Sequence, residues 1–288
     1  MKLRFWGVRG AFAMSGRDYL RYGGNTCSIE LMSAAGRRML VDLGTGATEY
    51  ARHLMTTEFA TGQGVLPIVL THTHLDHIQG LPFFTPFFIK GNQIRIMGVD
   101  PAAAAAPAGR PSVLSLEGTL QNQLDPHYSP LNGLENLAAG VTIESFVAGA
   151  AFALGDFAIT TAAVPHGSMW TTALRVECDG KVVALLTDVE YPSPDAPLPE
   201  AIAIARGADL LVHDAMLADA DYHLRRGWGH SPGRAGVAVA EAAGAKRLAL
   251  YHHSPDATDD MIDREVAQLA ATTKVPVFGA AEGAYLDV

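Results

Sequence analysis

Four side chains of the types that bind transition metals stand within six consecutive residues: His72, His74, Asp76 and His77. They follow the apolar run Val65–Leu70, which predicts a buried strand. In an extended segment, the rings of His72 and His74 project to one side because they are two residues apart. Asp76 and His77 come where the chain bends away, so they can face a second point. Imidazole with carboxylate suits zinc, manganese or iron(II). A polar surface loop is the alternative, but this density of ligand types after an apolar strand favours half of a two-metal site.

The spacing His72-x-His74-x-Asp76-His77 resembles the signature of the metallo-β-lactamase superfamily of hydrolases. The resemblance implies an α/β fold, a four-layer αββα sandwich, with the metals between the edges of its two sheets. Further ligands should then follow other strands of the chain. The sequence shows no linker or internal break, so one domain covering residues 1–288 is predicted.

Four apolar runs in the second half of the chain also end in residues of the metal-binding types. They are Phe157–Val164 before His166, Lys181–Leu186 before Asp188, Leu210–Val212 before His213 and Asp214, and Arg247–Tyr251 before His252 and His253. Any one of them could be chance. Together with the run before His72 they make five strand ends, which is what a ligand site at the edge of a sheet requires.

The superfamily pattern, carried over residue by residue, implies two divalent metal ions, zinc with manganese as the alternative. It assigns His72, His74 and His166 to one metal, Asp76, His77 and His252 to the other, and Asp188 as the bridge. Two such metals can share a hydroxide that attacks the substrate, and Asp76 is counted among the catalytic residues as well. His252 is preferred over His253 because the ligand of the pattern directly follows the last buried strand residue. His253 is then expected to face solvent or the pocket.

A second pair of motifs narrows the class. Trp228-Gly229-His230-Ser231-Pro232 follows the strand that ends at Asp214 and precedes a predicted helix. This pair resembles the phosphodiesterase branch of the superfamily, which includes ribonuclease Z and enzymes that degrade cyclic nucleotides, the anti-Pycsar type among them. The resemblance implies that His230 protonates the leaving alkoxide or steadies the phosphate while Asp214 orients its ring. A ribose alkoxide leaves poorly, so a proton donor near neutral pH would help. Alternatively, His230 caps the helix that begins near Gly233.

Other polar residues complete the predicted site. In the superfamily an acid at the position of Asp42 lies behind the metal histidines, although Asp42 could equally cap a helix predicted at Glu49–Met55. Asn25 follows a glycine pair that is interpreted as a turn, and it is a candidate substrate contact. His127 and Tyr128 lie where the resembling enzymes have their pocket mouth, so both are candidate substrate contacts, with exposed loop residues as the alternative.

Charge and composition bear on the partner. The 288 residues carry a net charge of −9, which argues against an extended nucleic-acid surface. Ribonuclease Z holds tRNA with an arm, and Pro101–Pro111 is too short and too uncharged to be one. The predicted substrate is therefore a small phosphodiester, a cyclic nucleotide, and tRNA is disfavoured. The alternatives are a ribonuclease Z-like tRNA 3′ endonuclease or a lactone or thioester hydrolase on the same scaffold.

The sequence also bears on location and assembly. Only Cys27 and Cys178 are present, which suggests no disulfide framework and favours a reducing cytoplasm. No apolar run is long enough to span a bilayer, so no membrane association is predicted. Phe5–Gly10 together with Arg21–Thr26 resembles compact bacterial and phage enzymes that act on cyclic nucleotides, and the resemblance implies a homodimer.

Overall fold

The computed structural model describes residues 1–100, 114–127, 129, 131–283 and 285–288. In this part of the chain, fourteen strands form two seven-stranded mixed sheets. The strands are β1 (Lys2–Gly7), β2 (Ser28–Met32), β3 (Arg38–Val41), β4 (Val65–Val69), β5 (Gln93–Val99), β6 (Gly140–Phe146), β7 (Ala151–Leu154), β8 (Phe157–His166), β9 (Met169–Cys178), β10 (Lys181–Leu186), β11 (Leu210–Asp214), β12 (Leu248–Tyr251), β13 (Val277–Gly279) and β14 (Leu286–Asp287).

The strand order brings the chemically important strand ends to one side of each sheet. The first sheet has the order β14-β1-β2-β3-β4-β5-β6 and the second β13-β12-β11-β10-β9-β8-β7. Strands β10 to β13 run parallel, and β9 is antiparallel to both β8 and β10, so β8 runs in the same direction as β10. The carboxyl ends of β8, β10, β11 and β12 therefore open on the same edge of the second sheet.

Helices cover the outer face of each sheet. They are α1 (Gly46–Leu54), α2 (Leu75–Ile78), α3 (Leu116–Gln123), α4 (Pro199–Ala205), α5 (Gly233–Ala243) and α6 (Asp259–Ala270), with short 3₁₀ segments at Arg17–Tyr19, Glu58–Thr61, Leu81–Phe83, Thr85–Phe88, Leu134–Asn136 and Asp219–Leu224. One apolar cluster fills the space between the sheets, a second packs α1 and α3 on the first sheet, and a third packs α4 and α5 on the second. Three cores between four layers confirm the predicted αββα sandwich.

Helix α1 shows how the sequence places a helix against the first sheet. Ala47, Tyr50, Ala51 and Leu54 are buried and recur at the spacing of a single helix face. The helix starts three residues earlier than predicted, at Gly46, where a Cβ would lie 2.5 Å from the carbonyl carbon of the β1 residue Trp6. Glycine thus lets α1 begin directly on the strand. The N-cap residue is Thr45, so Asp42 does not cap this helix.

The predicted strands occur with small changes at their ends. Phe157–Val164 continues to His166 and Leu210–Val212 continues to Asp214, so both functional side chains stand on the strands themselves. Strands β6, β7, β9, β13 and β14 have no predicted counterpart, and the segment Pro101–Pro111 lies outside the described residues. No helix in the described part of the chain is both long and apolar enough to cross a bilayer.

Candidate metal centre

Imidazole and carboxylate groups from both sheets meet where the strand ends of the two sheets face each other. The ligand atoms of His72, His74 and His166 lie within 4.8 Å of one another, and so do those of Asp76, His77, Asp188 and His252. These two groups, called group A and group B in that order, bring together all seven residues that the sequence nominates. Their role as ligands remains a prediction.

Group A has the geometry of three nitrogens around one ion. His74 Nδ1 and His166 Nε2 are 3.0 Å apart, and two ligands that bind zinc tetrahedrally at about 2.0–2.1 Å are separated by about 3.3 Å. His72 Nε2 is buried without a hydrogen-bond partner. A buried imidazole nitrogen without a partner is expensive unless a cation binds it, so the donor set of group A fits a divalent metal.

The protein holds the opposite edge of two of the three imidazoles in group A, those of His166 and His72. His166 donates from Nδ1 to the carbonyl oxygen of Gly229 at 2.6 Å, and His72 Nδ1 lies 3.2 Å from Thr71 Oγ1. A side chain at position 229 would overlap the ring of His166, and Gly229 has a φ of 91°, so glycine is required there. Fixing one ring nitrogen leaves Nε2 directed at the site.

Group B is centred on the carboxylate of Asp188. Its oxygens lie 3.1 Å from His77 Nε2 and 3.2 Å from His252 Nε2. Asp76 Oδ2 lies 3.3 Å from the same His252 nitrogen. Asp188 Oδ1 is also 3.9 Å from His72 Nε2 and from His166 Nε2 in group A. The position of Asp188 between the groups is the one that a bridging carboxylate needs.

Asp42 lies directly behind group B. Its carboxylate accepts hydrogen bonds from His77 Nδ1 at 2.8 Å, from the Thr71 amide at 2.8 Å and from Thr71 Oγ1 at 2.9 Å.

The backbone is left-handed at three of the residues that follow strand ends near the site. Asp42, Asp188 and His252 have φ between 56° and 63°. A non-glycine residue in this region costs of order 1–3 kcal/mol, and such strain concentrates at functional sites.

The segment after β1 forms a further wall of group B that the sequence did not indicate. The amide of Ala11 donates to Asp76 Oδ2 at 2.8 Å, and a side chain on Gly10 would overlap the ring of His252. This segment is anchored by Arg9, which is fully buried and donates to the carbonyl oxygens of Gly23 and Ala257. The signal available in the sequence was the Arg-Gly pair at the end of a strand, but its partners are remote in the chain.

The protonation of the two groups differs. Burial lowers the pKa of His72 well below its ordinary value and that of His74 to about 4, and it also lowers the pKa of His166. Burial opposes charge on His77 and His252 too, but neighbouring acidic groups outweigh it and hold both pKa values well above the ordinary one. The largest raising contributions to the pKa come from Cys27 and then Asp188 at His77, and from Asp188 and then Cys27 at His252. Group B thus attracts positive charge, and group A offers neutral imidazoles.

His230 lies beside the seven candidate ligands, and the carboxylate of Asp214 holds its ring in place. His230 Nδ1 lies 2.9 Å from Asp214 Oδ2 and 3.9 Å from Asp188 Oδ1. The other oxygen of Asp214 accepts from the amides of Met216 and Ser231. The ligand atoms of Asp188, Asp214, His230 and His252 are close enough to form a further ligand group. The carboxylate of Asp214, however, already accepts hydrogen bonds from the His230 ring and from two amides. Helix α5 has Pro232 at its N-cap, so the alternative of a capping His230 is wrong.

Two neighbouring histidines point elsewhere. His213 donates from Nδ1 to the carbonyl oxygen of Asp214 and its Nε2 lies 2.8 Å from the hydroxyl of Tyr191, so it stabilises the strand from the helical side. His253 is buried, and its Nε2 donates to the carbonyl oxygen of Ala280 at 3.0 Å. The expectation that His253 faces solvent or the pocket was therefore wrong, and burial lowers its pKa to about 3.

Two of the three candidate substrate contacts lie in the described part of the chain, and the hydrogen bonds of their side chains go to residues outside groups A and B. The side-chain amide of Asn25 donates to Glu282 at 3.0 Å. The ring of His127 is 88% exposed and bonds Asp125 on its own loop. Tyr128 lies outside the described residues. All three contacts remain predictions.

Residues 37–253 match the family model of the beta-lactamase superfamily domain, and the chain belongs to this superfamily in its metallo-β-lactamase form. It is similar to proteins named Ribonuclease Z from Halorubrum lacusprofundi (50% identity over 22% of this chain and 21% of that protein) and Brevibacillus brevis (34% over 38% and 39%). The first match thus spans about a fifth of that relative's length. Ribonuclease BN from Cronobacter sakazakii is 27% identical over 81% of this chain and 84% of that protein.

Solved structures show the same fold. The short form of human tRNase Z superposes with a TM-score of 0.66 at 20% identity over 100% of this chain and 99% of that chain. A diphosphatase of the PhnP family gives a TM-score of 0.64 at 19% identity over 100% and 97%. Because the named relatives are ribonucleases, the expectation that tRNA is disfavoured is not supported, and the partner stays open.

The first prediction concerns metal content. Protein purified without chelator should hold about two equivalents of transition metal, since the two groups supply separate donor sets. His74→Ala should lose the ion of group A only, whereas Asp188→Asn should weaken both, because Asp188 lies between the groups. Elemental analysis measures this, with the exposed His127→Ala as a matched control that keeps the parent content. A metal-replete parent without bound metal would contradict the site assignment.

The second prediction concerns pH. Metal binding must displace protons from His77 and His252, whose pKa values are raised, so the affinity of group B should fall as pH falls. The group A histidines, with His74 near a pKa of about 4, stay neutral over the same range. Between about pH 8 and about pH 5, the parent should therefore lose the group B ion first. Equilibrium dialysis against zinc measures the loss. His74→Ala should lose all its metal over this range, and retention there would contradict the assignment.

Proposed function

We propose that this enzyme hydrolyses a small phosphodiester, a cyclic nucleotide being the class that fits best. The observation that carries the proposal is the His230–Asp214 pair, which stands within 3.9 Å of Asp188 but is not needed to complete either ligand group. A lactone or thioester hydrolase has no evident use for such a pair, because its leaving group departs more easily than an alkoxide.

The residues divide the work as follows. Two divalent ions, zinc by the nature of the ligands, would be held by groups A and B and would neutralise phosphate charge and activate water. Asp214 accepts the Nδ1 proton of His230, which fixes the orientation of the ring. His230 Nε2 is then the atom that donates a proton to the departing oxygen. The amide of Ala11 holds Asp76 in place.

A second candidate function is processing of tRNA 3′ ends, and the observation that favours it is the similarity to proteins named Ribonuclease Z and Ribonuclease BN. The net charge of −9 favours the small substrate. The homodimer and the cytoplasmic location that the sequence predicts belong to the same proposal.

The third prediction ranks these substrates. The purified enzyme, with its metals, should show a higher kcat/KM on at least one cyclic nucleotide than on pre-tRNA or on a lactone. A steady-state assay across the three classes decides the order. Clean 3′ processing of pre-tRNA with a higher kcat/KM than any cyclic nucleotide would make the second candidate the correct one.

The fourth prediction isolates His230. His230→Ala should keep both metals and the fold, because His230 belongs to neither ligand group, and its kcat on a cyclic nucleotide should fall by about 10²–10⁴-fold. The loss should shrink on a p-nitrophenyl phosphodiester, whose leaving group needs no proton. Rates, metal content and Tm are compared with the parent and with His223→Ala, an exposed histidine on the preceding 3₁₀ segment. Equal losses on both substrates would indicate phosphate binding instead of proton donation.

A further inference from the structure

Two of the three tryptophans are exposed, and each is the chain neighbour of a residue that pairs with or bonds His166: Trp228 precedes Gly229, and Trp170 follows Met169. Trp228 is 58% exposed and Trp170 is 45% exposed, whereas Trp6 is buried. A large aromatic ring left in water at the rim of a polar site is a common mark of a binding surface. A third exposed aromatic ring, Phe12, follows the residue whose amide holds Asp76. Exposed aromatic rings thus stand on both sides of the metal groups.

The backbone around Trp228 is fixed although its ring is exposed. Both flanking amides, those of Gly227 and Gly229, donate to the carboxylate of Glu190, at 2.6 Å and 2.8 Å. The carbonyl oxygen of Gly229 accepts from His166 at 2.6 Å. A ring on a rigid backbone loses little conformational entropy when a ligand stacks on it, which is how preorganisation raises affinity.

Trp170 stands next to the same loop. It pairs with Pro165 in the β8–β9 hairpin, and this pair is one position farther from the turn than the pair of His166 with Met169. The hairpin turn packs against the loop, since a Cβ on Gly167 would lie 2.7 Å from the carbonyl oxygen of Gly227. The guanidinium of Arg225 lies 5.2 Å from the centre of the Trp228 ring. The hairpin that carries Trp170, the loop that carries Trp228 and the guanidinium of Arg225 are therefore packed together beside His166.

We propose that Trp228, with Trp170 beside it, stacks on the base of a nucleotide whose phosphate occupies the metal centre. This deepens the proposed function and rests on it for the position of the phosphate. Aromatic rings accept any nucleobase because every base has a π face, and the neighbouring guanidinium complements an anionic nucleotide. Only Gly229 separates Trp228 from His230 in the chain, so the proposed stacking surface lies beside the group that would face the leaving oxygen.

The first test compares two substrates that share a leaving group: thymidine 5′-(p-nitrophenyl phosphate), which has a base, and methyl p-nitrophenyl phosphate, which has none. Trp228→Ala should lower kcat/KM on the first by roughly 5- to 150-fold, the range that loss of one base stack produces, and leave the second unchanged. Trp228→Phe should recover most of the loss. Val65→Ala, an exposed apolar truncation at the start of β4, is the matched control and should affect neither substrate. Equal losses on both substrates would overturn the proposal.

The second test needs no turnover. Because Trp6 is buried, ligand-induced quenching of tryptophan fluorescence reports mainly on Trp170 and Trp228. AMP should quench the parent and ribose 5-phosphate should not, and Trp228→Ala should lose most of the AMP response. Quenching by AMP in a protein that turns over no phosphodiester would support the stacking site and refute the proposed function alone. Equal quenching by both ligands would overturn the stacking site. Sedimentation of the parent and of Trp228→Ala gives a second way to overturn it: if the parent is a dimer and the variant is a monomer, the tryptophan rings pack against a second copy of the chain and not against a base.

Discussion

The carboxylate of Asp188 is the constraint on which the rest of the site depends. It is almost fully buried, and five imidazoles have a nitrogen within 3.9 Å of it, those of His72, His77, His166, His230 and His252. A buried anion must be compensated by positive charge. The strand ends of the two sheets must therefore meet at this point. The segment after β4 supplies His72 and His77, the ends of β8 and β12 supply His166 and His252, and the loop before α5 supplies His230. The strain of the left-handed backbone at Asp188 and His252 is tolerated because the attraction between the buried carboxylate and the imidazoles compensates for it.

A second set of hydrogen bonds makes this arrangement rigid. His77, His166 and His230 each have Nδ1 bound to a different protein oxygen, those of Asp42, Gly229 and Asp214. Each bond selects one tautomer and one ring orientation, so the opposite nitrogen faces the site before any ligand arrives. The proposed division between metal ligands and a proton donor is consistent with the same hydrogen bonds. His77 and His166 point their free nitrogens at the other ligands, whereas His230 sits at the border, 11% exposed, where a leaving group can reach it.

The ligand motif was predictable because its spacing is local, and the strand ends were predictable because apolar runs mark buried strands. Which of two adjacent polar residues faces the site was not predictable from spacing alone. His213 and Asp214 are neighbours on β11, so their side chains leave opposite faces of the sheet. A Cβ on Gly236 of α5 would lie 3.1 Å from the His213 ring, so the packing of that helix decides that Asp214 faces the metal groups. The contact between Ala11 and Asp76 joins residues 65 apart, and nothing in either local sequence indicates it.

The net charge illustrates a different limit of sequence reasoning. A formal charge of −9 counts Asp42, Asp76, Asp188 and Asp214 as if they faced solvent, but all four are buried around the metal groups. Two bound divalent ions would change the total from −9 to −5. Net charge governs long-range attraction of a polyanion, and it does not describe the rim that a substrate touches. At that rim stand Trp228, Trp170 and Arg225, which suit a base and a phosphate equally in a free nucleotide or in RNA. Discrimination between the two must therefore come from the shape around those rings and not from the ligands they border.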